Sequence, residues 1–163
     1  MRLFFAFISL IVATIAFPGC YSTGAHGKLP FATVTIMPVK SEIDFASTQV
    51  LLAKNVAEAI NAEPGLTTKV EGGAAELFIT LSNLTYSSLV ASNYDSRVNV
   101  VENITITAKI SLRNARKGDW YFQNRNVSAS IQVYSSDLNA TQAYPAISRE
   151  LARRIKDQIV SVW

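Results

Sequence analysis

The period of the hydrophobic positions changes along this chain, and each change marks an element. Phe31 to Val39 sets Ala32, Val34, Ile36 and Pro38 against Thr33, Thr35 and Met37. That alternation, rich in β-branched side chains, predicts a strand closed by Pro38. From Asp44 to Ala62 the period lengthens: Leu52, Val56 and Ile60 recur every four residues, flanked by Ala53, Ala57 and Ala59, with Lys54 and Glu58 opposite. This spacing predicts an amphipathic helix, capped by Ser47 or Thr48 and ended by Pro64-Gly65. Leu66 to Val70 reads as a short strand before a turn at Gly72-Gly73.

Three longer strands follow. In the first, Leu77, Ile79 and Leu81 share one parity, while Phe78 and Leu84 fall on the other and place partial cover there. Ile104, Ile106, Ala108, Ile110 and Leu112 alternate without error against Thr105, Thr107, Lys109, Ser111 and Arg113. Such a strand has one face in a core and one in water. After a turn near Lys117-Gly118-Asp119, Val127, Ala129, Ile131 and Val133 repeat the pattern, so the last two strands form an antiparallel hairpin. A final helix starts at about Pro145, a residue tolerated in a first turn where its missing N–H has no acceptor to lose. Its apolar stripe is Ile147, Leu151, Ile155, Ile159 and Val162, opposite Arg149, Arg153 and Lys156. One-faced helices and a one-faced sheet bury each other. The expected fold is therefore α+β, a two-layer sandwich in the order β-α-β-β-β-β-α. It has a mostly antiparallel four- to five-stranded sheet and both helices on one face.

The N-terminus obeys neither period. Met1-Arg2 precedes a run from Leu3 to Phe17 that is apolar apart from Ser9 and Thr14, the layout of an export signal and short for a membrane span. It ends at Gly19-Cys20, and Cys20 is the only cysteine. A small residue followed by cysteine resembles a bacterial lipoprotein signal, in which cleavage leaves the cysteine as a new, acylated N-terminus. The other reading is an ordinary cleaved signal with a free thiol. The chain thus divides into a signal peptide at 1–19, a flexible tether at 20–30 rich in glycine and small polar residues, and a single domain at 31–163.

Composition narrows the chemistry. Removing Arg2 from the 15 basic residues leaves an excess of two over the 12 acidic ones, too weak a field for nucleic acid. A lone cysteine excludes an internal disulfide, and the apolar core must hold the domain. His26, the only histidine, lies in the tether, so neither a catalytic triad nor a zinc site with nitrogen and sulfur ligands can be assembled. The carboxylates Asp95, Glu102 and Asp119 show no spacing of a catalytic pair. No catalytic residue, metal or soluble cofactor is expected. Sequons at Asn83, Asn103, Asn126 and Asn139 would be glycan sites in a secreted eukaryotic protein. Two of them fall in or beside strands, as chance sequons do in a chain rich in Asn, Ser and Thr.

Several segments, in order, resemble the LptE family, the lipoprotein partner of the outer-membrane barrel LptD. These are Cys20-Tyr21-Ser22-Thr23-Gly24-Ala25, the strand Thr33-Val34-Thr35-Ile36 with Pro38, Ala75-Glu76-Leu77, the strand Ile104 to Ile110, and the closing helix to Trp163. The resemblance implies a non-enzymatic outer-membrane lipoprotein facing the periplasm and the barrel lumen. Diacylglycerol and an N-acyl chain would sit on Cys20, and the domain would plug an LptD-like barrel, assist its assembly and contact lipopolysaccharide. Basic loop residues suit the phosphates of that lipid. Arg97, in the stretch Ser92 to Val98, is one candidate, and Arg113, Arg116 and Lys117 around the hairpin turn are a second. The same charges would equally keep a hairpin soluble and protect strand ends. A different function for the same architecture is a lipid-tethered periplasmic carrier of amphiphiles without a barrel. Among the aromatics, Tyr86 reads as strand cover, whereas Trp120 to Phe122 could be core or interface.

Overall fold

The computed structural model describes residues 29–43, 46–89, 101–134, 140–161 and 163. Cys20, the tether up to Lys28 and Arg97 lie outside these residues. The elements are β1 (Thr33–Ile36), β2 (Lys40–Ser41), α1 (Ala46–Asn61), β3 (Thr67–Lys69), β4 (Ala75–Leu89), β5 (Val101–Asn114), β6 (Trp120–Tyr134) and α2 (Ala140–Val160). They form one six-stranded sheet in the order β3-β1-β4-β5-β6, with β2 paired to β4 beyond β1.

The α+β class and the two helices match the sequence reading, and the sheet adds detail to it. It has six strands and is mixed: β1 is parallel to both β3 and β4, while β4-β5-β6 is an antiparallel meander. The parallel part follows from connectivity, because α1 lies between β2 and β3 and carries the chain back to the end where β1 began. Pro38 interrupts what would be one strand beside β4. Ile36 pairs with Leu77 but Lys40 with Thr80, so the break holds one extra residue.

The core lies between the sheet and the two helices. Leu52, Val56 and Ile60 from α1 and Ile147, Leu151, Ile155 and Ile159 from α2 are fully buried. They join Leu77, Ile79 and Leu81 of β4, Ile104 to Leu112 at alternate positions of β5, and Val127 and Ala129 of β6. A buried polar contact joins the two helices: Asn55 Nδ2 donates to Ser148 Oγ at 3.0 Å.

Three local expectations are corrected. Leu84 does not cover the opposite face. A register shift between Leu81 and Asn83 inserts Ser82 as a bulge, so Leu84 pairs with Ile106 and joins the core side. Helix α1 starts at Ala46, which places Ser47 and Thr48 in its first turn and not at the cap. Helix α2 starts at Ala140, so Pro145 lies inside it, and Ala143 and Tyr144 add apolar contact upstream. A proline near a helix start forgoes one hydrogen bond, and burial of Ala143 and Ile147 around it offsets that loss.

Candidate functional site

The face of the sheet away from the helices is polar and, among the described residues, uncovered. Thr105 and Ser130 share a 2.8 Å hydrogen bond between hydroxyls, and so do Thr107 and Ser128. Further along, Lys109 Nζ lies 3.5 Å from Glu42. The clean alternation of β5 produces this surface, because one parity is spent on the core and the other carries hydroxyls and charges.

At one end of the face stands Arg113. Its Nε donates to Glu76 Oε2 at 3.0 Å, with a second bond from Nη2 to the same oxygen. The guanidinium also lies 5.3 Å from the Phe78 ring centroid and 5.6 Å from that of Trp120, and the two rings are 5.6 Å apart. Glu76 therefore pairs with the charge of this arginine, and Phe78 and Trp120 both lie within cation–π range of it.

Asn114 builds the adjoining turn. Its Oδ1 accepts from the backbone N–H groups of Arg116 and Lys117 at 3.0 and 3.1 Å, and its own N–H donates to Asp119 O at 2.8 Å. The Gly118 N–H closes on Asn114 O at 2.9 Å, with Gly118 at φ 75°. Only glycine adopts that angle without strain. The turn is pinned to the body by Ala115 N–H to Ala74 O at 3.0 Å and by Asn114 Nδ2 to Tyr121 Oη at 2.9 Å. The side chains of Arg116 and Lys117 are left exposed, and among the described residues no ion pair involves either one.

Register separates the two groups of candidate cations. Arg113 pairs with Glu76 near one end of β4, whereas the connection holding Arg97 leaves from Leu89 and returns at Val101 at the other. The twelve residue steps of β5 from Val101 to Arg113 span roughly 40 Å. The sequence candidates thus do not form one site. Arg116 and Lys117 share the turn, Arg113 is committed to the sheet, and Arg97 belongs to a connection outside the described residues.

Other features at the two ends had no periodic signal. Phe31, just ahead of β1, packs against Tyr121 at 5.2 Å and Trp163 at 6.5 Å, and Tyr121 meets Trp163 at 5.6 Å. Phe122 is core, set there by a bulge at Asn124, whose φ is 50° and whose N–H donates to Ser111 Oγ at 2.9 Å. At the remote end Tyr86 is no simple cover. Its hydroxyl lies 3.3 Å from that of Tyr144 on α2, and this bond, then burial, pushes its pKa up to about 12.

On α2, Glu150 accepts from Arg153 and Arg154, which lowers its pKa to about 2. Lys156 is raised by bonds to Asp157 and Glu63, the latter at 3.1 Å and joining α2 to the end of α1. No group of His, Cys, Asp and Glu suited to a metal occurs among the described residues. A shallow groove of about 730 Å³ opens beside the short edge strand, lined by Thr35, Met37, Pro38, Ala53, Ala57 and Val70 among others.

Comparison with known proteins gives this architecture a family. Residues 31–162 match the family described as LptE, lipopolysaccharide assembly. The fold is similar to that of a protein from Caulobacter crescentus described as a lipoprotein, at 14% identity and a TM-score of 0.51, covering 78% of this chain and 88% of that one. It is also similar to a hypothetical protein from Chlamydia trachomatis, at 9% identity and a TM-score of 0.52, covering 80% and 99%. No curated protein sequence matches.

Proposed function

The chain belongs to the LptE lipopolysaccharide-assembly family, and on that premise we propose a non-enzymatic outer-membrane lipoprotein, acylated at Cys20, that seats in an LptD-type β-barrel. It would help that barrel assemble and contact lipopolysaccharide in passage. The observation that carries this reading is the family match over 31–162, essentially the whole folded domain.

The geometry supports it physically. A plug meets a polar lumen wall, and the open sheet face offers a row of hydroxyls already paired across strands and ready to accept or donate further bonds. The opposite face is used up by its own helices. We therefore assign the open face to the barrel wall. Lipopolysaccharide phosphates would be met by cations without a fixed partner. Arg113 already pairs with Glu76, so we rank it behind Arg116 with Lys117 at the same end of the sheet and Arg97 in the connection after β4.

The groove of about 730 Å³ favours a second reading, a tethered carrier that binds an amphiphile alone. Isolation of the acylated protein from membranes in mild detergent separates the two. A barrel recovered in equimolar amount supports the plug. Repeated recovery of the protein alone, from an extract that contains intact barrel, leaves the carrier. Separate Arg97→Ala and Arg116→Ala/Lys117→Ala variants then tell which end holds lipopolysaccharide, and unchanged binding in both removes these cations from the site.

A further inference from the structure

The chain has two tryptophans, and both stand at one end of the domain. Trp120 opens β6 directly after the cationic turn, and Trp163 packs on Phe31 and Tyr121. Each keeps a large exposed surface despite its neighbours, 43% for Trp120 and 37% for Trp163. The start of β1 and the turn with Arg116 and Lys117 lie at this same end of the sheet, since Val34 pairs with Ala75 and Ala75 with Asn114. The described chain also begins here, at Leu29.

We propose that, before the domain seats in a barrel, this end rests in the phospholipid headgroup layer of the membrane that holds the lipid anchor. The inference rests on acylation of Cys20 and not on a barrel partner. Its geometry is simple. Nine residue steps from Cys20 to Leu29 reach about 30 Å at most, less than the roughly 40 Å length of β5. An inverted domain would need the tether to run the whole length of the sheet, so the remote end cannot face the anchoring bilayer.

The chemistry at the near end suits a headgroup layer. Indole rings favour the membrane interface, where an apolar body and an N–H donor both find partners. Arg116 and Lys117 present donors to phosphate oxygens. Asp119 sits in the same turn and offsets part of their charge, so the contact is chiefly aromatic and depends weakly on salt. In that state the tether-end cations Arg116 and Lys117 meet phospholipid.

Because there is no third tryptophan, intrinsic fluorescence reports on this patch alone. The acylated full-length protein is reconstituted into phosphatidylethanolamine–phosphatidylglycerol vesicles free of lipopolysaccharide, and quenching by brominated lipid is measured for Trp120→Phe and Trp163→Phe. A third variant carries both changes and Ser87→Trp, which moves the reporter to the remote end. Lipid quenching severalfold stronger for the two single-tryptophan proteins than for the remote reporter is the expected result. Equal quenching at both ends overturns the proposal. So does quenching at Trp120 and Trp163 that appears only after lipopolysaccharide is added, because the patch then serves that lipid. Flotation with vesicles is scored first: a protein that fails to float lacks the anchor, which refutes the acylation premise and the proposal built on it.

Discussion

The two faces of one sheet use the same strands in opposite ways. Along β5, Ile104, Ile106, Ala108, Ile110 and Leu112 are fully buried beneath the helices, while Thr105, Thr107, Lys109, Ser111 and Arg113 between them remain partly or wholly solvated. The covered face carries the stability of the domain, because each apolar side chain removed there leaves a cavity that close-packed neighbours fill only partly. The open face carries little of it, since hydroxyl pairs that meet water lose and regain similar hydrogen bonds. A surface that can change without unfolding the protein is one that can meet a partner.

The comparison is broken most directly by truncating both faces. Leu151→Ala, on α2 above the sheet, is expected to cost about 2–5 kcal/mol in chemical denaturation. Thr107→Ala, on the open face, is expected to cost less than about 1 kcal/mol. Similar losses for the two would show that the open face is itself packed against something.

Next in size is the polar clamp inside the covered layer. Asn55→Ala leaves the buried Ser148 hydroxyl without its donor and should cost roughly 1–3 kcal/mol. Ser148→Ala in the same background should restore part of the loss, and a double-mutant cycle measures how much.

The smallest effect concerns acid. Glu150 has its folded pKa depressed to about 2 by Arg153 and Arg154, from an ordinary value of 4.5. Its contribution is therefore full above pH 4.5 and lost as pH falls toward 2. Both arginine partners are well exposed, so screening limits that contribution to about 0.2–1 kcal/mol. Glu150→Gln should flatten the stability profile in this window alone; an unchanged slope would place the acid sensitivity elsewhere.

What the sequence made legible follows from the same contrast. Strict alternation in β5 and the four-residue steps of both helices identified almost all of the core, because burial on one face imposes a period. The three register shifts in the meander were hidden. An inserted residue such as Ser82 or Asn124 leaves no local mark, and only cross-strand pairing shows that Leu84 and Phe122 have changed face. Pro145 misled for a related reason: its position relative to the helix start depends on tertiary burial of Ala143, not on the proline. Among the site residues, the clustering of Arg113, Arg116 and Lys117 was visible as sequence proximity. Its division into one committed arginine and two unpaired cations was not, because Glu76 is distant in the chain and becomes a neighbour only through the β4–β5 register.

The central claim is that the open face is the partner surface. A photo-crosslinking residue placed at Thr107, in the middle of that face, tests it against one at Arg149, which is exposed on α2. In intact cells, a strong adduct is expected between Thr107 and an outer-membrane β-barrel, and little from Arg149. An adduct confined to Arg149, with none from Thr107, would contradict it.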